Sequence, residues 1–184
     1  MQNPPSFTDR IEQRLKNVKE FLAGQENIIS VILEDHKPLK ELIQLMKNPN
    51  RELEVRMRAF EEFAALLVTH AKAEEKSLYD YLKNVESMRT EAFEGDTEHG
   101  VADQLVEEIK RTLDPDKLSA KIKVLAEMVE HHIKEEESDL LPDTEKQIDA
   151  KILKQLTQKY IDAQAQIIAQ GQTDSPPESE LKSH

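Results

Sequence analysis

Four stretches of this chain carry apolar stripes at alternating three- and four-residue steps, and every stripe is interrupted by a histidine. Residues 25–47 present Ile29, Ile32, His36, Leu39, Ile43 and Met46. Residues 51–84 present Phe60, Phe63, Leu67, His70, Glu74, Leu78 and Tyr81. Residues 98–113 present His99, Ala102, Val106, Ile109 and Leu113. Residues 117–141 present Leu118, Ile122, Leu125, Val129, His132, Glu136 and Leu140. That period is helical and puts each set on one face. The turns "NPN" at 48–50 and "DPD" at 114–116 separate neighbours, a linker around Gly95 divides the middle two, and Pro142 closes the fourth. Short loops between four amphipathic helices lead to an all-α fold, an antiparallel up-down-up-down four-helix bundle. The first pair of helices loosely resembles the second.

Six polar groups therefore face one core: His36, His70, Glu74, His99, His132 and Glu136. A single core histidine usually has only a hydrogen-bond partner, but carboxylates are almost never buried alone. A metal cluster satisfies all six together, because neutral imidazoles supply lone pairs and carboxylates offset the cationic charge. His70 and Glu74 are one helical turn apart, as are His132 and Glu136, so each pair reaches a common point about 5 Å from its backbone. Four imidazoles and two carboxylates divide over two metals, with each glutamate bridging and two histidines on each ion. A nitrogen and oxygen donor set without thiolate suits iron ahead of manganese or zinc.

Other chemistries are disfavoured. The zinc-protease spacing His-Glu-x-x-His is absent. So is the Glu-x-x-His of ferritin-like di-iron sites, since Leu33, Leu67, Asp96 and Val129 stand three residues before the core histidines. There is no cysteine, which excludes disulfides, zinc–thiolate sites and thiol catalysis. A net charge of −12 argues against nucleic acid and anionic membrane surfaces as partners. The longest apolar run, at 64–68, is far short of a membrane span. The opening "MQNPPSFTDR" lacks a leader pattern, so a cytoplasmic location is the expectation.

A length of 184 residues favours one domain with appendages. The expected division is a lead helix within 1–24, the metal-binding bundle at 25–143, a C-terminal helix at 144–170 packed on the bundle, and a disordered tail at 171–184. The last helix has Ile148, Ile152, Leu156, Tyr160 and Ile167 on one side, and Gly171 ends it.

The strings "EDHKPLKELI", "HAKAEEKSLYDYL", "EHGVADQL" and "HHIKEEESDLLPDTEK" resemble the hemerythrin-like HHE cation-binding family over roughly residues 26–143. The resemblance implies a four-helix bundle around two iron ions joined by an oxo or hydroxo bridge. It carries His36, His70, Glu74, His99, His132 and Glu136 over as ligands. It also implies binding or turnover of a small ligand: oxygen, peroxide or nitric oxide. The alternative is a non-catalytic iron- or oxygen-sensing module that acts through a partner, as a monomer or homodimer.

Oxygen-carrying hemerythrins use a fifth histidine one turn after the third core histidine, and here that position is Asp103. A less saturated site leans towards redox or sensing chemistry. The family's iron–sulfur repair members carry an N-terminal cysteine segment, and the missing cysteine weakens that role. Around the site, His131 reads as a solvated neighbour. Glu75, Glu135 and Glu137 read as an acidic face able to hold histidine N–H groups. Tyr79 and Tyr81 read as core or rim residues. Pro38 removes one helix hydrogen bond beside His36.

Overall fold

The computed structural model describes residues 27–173, and within them the chain is helical with no strand. The expected lead helix at 6–23 and most of the tail lie outside the described residues. The elements are α1 (Ile28–Met46), α2 (Leu53–Glu74), α3 (Asp80–Leu82), α4 (Arg89–Arg111), α5 (Pro115–Glu135), α6 (Leu141–Gln147) and α7 (Ala150–Thr173). Two π-helical turns, Glu75–Tyr79 and Glu136–Leu140, splice α2 to α3 and α5 to α6. No described helix is long and apolar enough to cross a membrane.

Local chemistry sets the boundaries. The Asn27 side chain caps α1 by accepting from the Ile29 amide at 3.0 Å. Asp114 does the same for Lys117 at 2.9 Å, with Pro115 in the first turn where its missing N–H costs nothing. The DPD sequence thus starts α5 as well as following α4. Buried Arg56 clamps the far end of the bundle: it donates to the Met46 carbonyl at 2.6 Å and to the Ser119 hydroxyl and carbonyl at 2.6 and 2.8 Å.

Five expected boundaries move. The third core helix starts at Arg89, not near 98, and runs straight through Gly95. Gly95 lowers helix propensity, but a Cβ there would lie 2.6–2.7 Å from the Tyr79 ring. The glycine is a packing requirement, not a linker. At the other end of α4, Leu113 lies beyond the last turn and is 94% exposed, so it leaves the expected stripe.

The fourth core helix does not stop at Pro142. The Leu141 amide reaches the Glu136 carbonyl in the wider π pattern, and Pro142 follows inside the opening turn of α6. A proline is tolerated there because the preceding ladder is already opened. The chain breaks instead at Ile148, which is extended, so the last helix begins at Ala150 rather than 144. It then passes Gly171 and reaches Thr173.

Apolar packing falls into two clusters. One gathers Leu39, Ile43, Phe60, Phe63, Val106, Ile122, Leu125 and their neighbours. The other gathers Ile28, Ile32, Leu78, Tyr79, Met88, Leu140, Leu156 and Tyr160. Along every core helix that carries a histidine the buried polar residues fall between the two: His36 between Ile32 and Leu39, His70 and Glu74 between Leu67 and Leu78, His99 between Ala92 and Ala102, and His132 and Glu136 between Val129 and Leu140. The core is two apolar blocks with a polar layer across the middle. α7 packs along α2, the first π turn and α1, so it closes the second block.

Candidate metal centre

All six candidate residues are buried, none more than 5% exposed. The structure brings them into two overlapping groups. His36, His70, Glu74 and Glu136 form one, and Glu74, His99 and His132 the other. Within each group one ligand atom from every residue lies within 4.8 Å of the rest. Glu74 belongs to both. Glu136 Oε2 is 3.2 Å from His36 Nε2 and 3.6 Å from His132 Nε2, so it too lies between the halves. His70 Nε2 is 3.2 Å and His99 Nε2 3.6 Å from Glu74 Oε2.

Both His-x-x-x-Glu pairs end where a π turn begins. The extra residue per turn moves the following side chains off the α-helical register, which is why Tyr79 rather than Tyr81 enters the site. The Tyr79 hydroxyl donates to Glu136 Oε1, and its ring stacks on His99 with centroids 5.4 Å apart. Burial first, then the Glu136 and Glu74 charges, hold the Tyr79 hydroxyl well above its ordinary range, so it stays a donor.

Three of the four imidazoles hydrogen-bond through the nitrogen that faces away from the cluster, and the fourth, His99, has only a nearby carboxylate there. His36 Nδ1 meets Glu137 Oε1 at 2.9 Å, and His132 Nδ1 meets Glu98 Oε2 at 2.6 Å. His99 Nδ1 lies 3.4 Å from Glu75 Oε1. His70 Nδ1 meets the Tyr160 hydroxyl at 2.9 Å, and that hydroxyl donates to Asp35 Oδ2 at 2.7 Å. A proton on each Nδ1 leaves the Nε2 lone pairs facing inwards, the arrangement that orients metal-binding histidines. Burial pushes His70 down to about 4, which keeps it a neutral donor.

Most of the inward atoms lack partners, and His99 Nε2 and His132 Nε2 have each other at 3.0 Å. His36 Nε2, His70 Nε2, both Glu74 oxygens and Glu136 Oε2 are buried without a hydrogen bond. Burial and then the nearby Glu136 charge push Glu74 well above the carboxylate range. Glu136 is held low against its burial, first by His132 and then by His36. Two carboxylates and four imidazoles converging with Tyr79 as the one hydroxyl donor on a carboxylate is an arrangement that cations satisfy, so the residues fit a metal cluster.

A cleft of about 720 Å³ between α4 and the second π turn reaches this layer. Buried Tyr79, His132 and Glu136 line its depth, and exposed Glu91, Glu94, Glu135 and Asp139 line its mouth. Burial and the Asp143, Glu94 and Asp139 carboxylates hold Glu91 above its ordinary value. His131 is also at the mouth, exposed and paired with Glu135 at 3.2 Å.

Asp103 joins neither group. It pairs with Lys72 at 3.0 Å, and Lys72 also holds Glu75 at 2.9 Å. The sequence points to Glu75, Glu135 and Glu137 as possible histidine partners; Glu135 pairs with exposed His131 instead of a core histidine, and Glu98, Asp35 and Tyr160 were missed. A signal was present: an acid directly precedes the core histidine in "EDH" and "TEH". One residue back on a helix points towards the neighbouring helix, where the next histidine stands.

The family model for the hemerythrin HHE cation binding domain matches residues 27–143. Neither curated proteins nor solved structures returned a match. With the match covering more than half of the chain and the buried histidines and glutamates lying inside it, this chain belongs to the hemerythrin HHE cation-binding domain family.

Proposed function

We propose that the chain is a non-haem di-iron protein that binds or turns over a small ligand, oxygen, peroxide or nitric oxide. His36 and His70 would hold one ion and His99 and His132 the other. Glu74 and Glu136 would lie between the ions, inside an antiparallel up-down-up-down bundle. The observation that carries this is the set of buried inward-facing atoms without hydrogen-bond partners. Bound iron would supply a redox-active Lewis acid that takes up a small ligand.

The remaining work falls to the protein. Glu137, Glu98 and Glu75 fix the ring orientations of His36, His132 and His99. Tyr79 places a donor on Glu136 at the inner end of the cleft. The acidic mouth repels anions and favours uncharged ligands and incoming cations. The Lys72–Asp103 pair keeps Asp103 out of both groups, so four histidines would leave more open coordination positions than a carrier has.

Exposing reduced, iron-loaded protein to air tests this. Oxidation within minutes, with peroxide consumption or nitric oxide binding, is expected. Reversible oxygen uptake that persists through repeated evacuation would restore a carrier role. A second reading, an iron- or oxygen-sensing module acting through a partner, is favoured by α7, which lies beyond the matched domain and packs on ligand-bearing α1 and α2. Absence of peroxide and nitric oxide reactivity in iron-loaded protein would favour it.

A further inference from the structure

The two halves of the site support their histidines unequally. In the second half, Glu98 precedes His99 on α4 and reaches His132 Nδ1 directly, at 2.6 Å. In the first half, Asp35 stands in the corresponding place before His36. One methylene shorter, it stops with Oδ2 4.0 Å from His70 Nδ1. The hydroxyl of Tyr160 fills the gap, 2.9 Å from the ring nitrogen and 2.7 Å from the carboxylate. Gln164, one turn later on α7, donates to the same Asp35 oxygen at 2.5 Å. Tyr160 is fully buried, yet α7 begins after the matched domain ends.

We propose that Tyr160, steadied by Asp35 and Gln164, is a positioning residue of the metal centre, supplied by the helix beyond the family domain. Its O–H donates to Asp35, so its oxygen is left to accept the His70 Nδ1–H. That fixes the tautomer with the Nε2 lone pair towards Glu74. Tyr160 thereby does with a phenol and a short acid what Glu98 does alone in the other half. The helix is then part of the site, and metal binding and the docking of α7 reinforce each other. The inference rests on the metal-centre reading.

The test is titration of metal-free protein with Co(II), followed by the visible ligand-field bands and by affinity. Urea denaturation of the metal-free form is measured alongside. Tyr160→Phe keeps the ring and removes the hydroxyl, and should weaken Co(II) binding about ten- to a hundredfold and shift the bands. Adding Asp35→Glu lets the longer acid reach His70 directly, and the double variant should regain most of the affinity. Leu156→Val, on the same helix in the apolar block, should lower urea resistance but leave the bands in place. Parent-like affinity and bands in Tyr160→Phe would overturn the inference, as would a double variant no better than the single one. No Co(II) binding by the parent would instead remove the metal-centre reading, and this inference with it.

Discussion

The Nε2 atoms of His99 and His132 face each other at 3.0 Å, while their Nδ1 atoms turn to Glu75 and Glu98. With a proton on each Nδ1, the tautomer that metal binding needs, two lone pairs would meet head on. That contact is stable only with an extra proton or a cation between or beside them. It sits within a layer in which both Glu74 oxygens and Glu136 Oε2 also lack donors. The layer is best understood as built around charge that metal ions supply.

Adjacent His131 and His132 should behave oppositely. His132 is buried in the polar layer among the candidate donors, and His131 is solvent-facing and paired with Glu135. His132→Ala should lose at least half of the bound metal, while His131→Ala keeps nearly all of it, by elemental analysis of the purified variants. The reverse order would place the register of α5 one residue out.

Two glycines of α4 make a matched pair. Gly95→Ala drives a methyl into the buried Tyr79 ring and should cost about 1–3 kcal/mol in urea denaturation. Gly100→Ala meets nothing within 4 Å and should stabilise by roughly 0.5–1 kcal/mol. Equal effects would mean that Tyr79 does not need Gly95.

Arg56 lies at the end of the bundle away from the histidines, where it satisfies the Met46 and Ser119 carbonyls. Arg56→Ala strands buried acceptors and should cost about 1–3 kcal/mol, with metal content per folded chain unchanged. A loss of metal in proportion to stability would show that the two ends are not separable.

Protons should compete with metal. Binding needs neutral imidazoles and ionised carboxylates. His70 stays neutral to about 4 in the fold, against about 6.5 for a free imidazole. The unfolded chain therefore takes up this proton first, and lowering the pH through that window favours unfolding and release. Metal retained in full above pH ~6.5 and lost by about pH 4 is expected in dialysis. The melting temperature of loaded protein should exceed that of the metal-free form at neutral pH and converge with it at the acid end.

Much of this was legible in the spacing. The three- and four-residue stripes locate the cores of α1, α2, α4 and α5, and all six polar stripe residues meet in one layer. The periodic reading broke where backbone geometry leaves the α pattern. At Tyr79 a π turn adds a residue, so the aromatic five positions after Glu74 enters the site in place of Tyr81. Gly95 and Pro142 look like stops because propensity penalises them. Only the tertiary contact with Tyr79, and the π turn before Pro142, explain why the helices continue through them. Tyr160 was visible as an apolar-face residue, but its partners Asp35 and His70 lie 125 and 90 residues away in sequence. No local pattern connects them.

The most direct test is the metal-to-chain ratio of protein purified from iron-replete cells, measured with its optical spectrum. Two metals per chain, mainly iron, with near-ultraviolet absorption beyond that of tyrosine, is the expected result. One metal per chain, or zinc alone with iron available, would contradict a centre built from two overlapping groups that share Glu74.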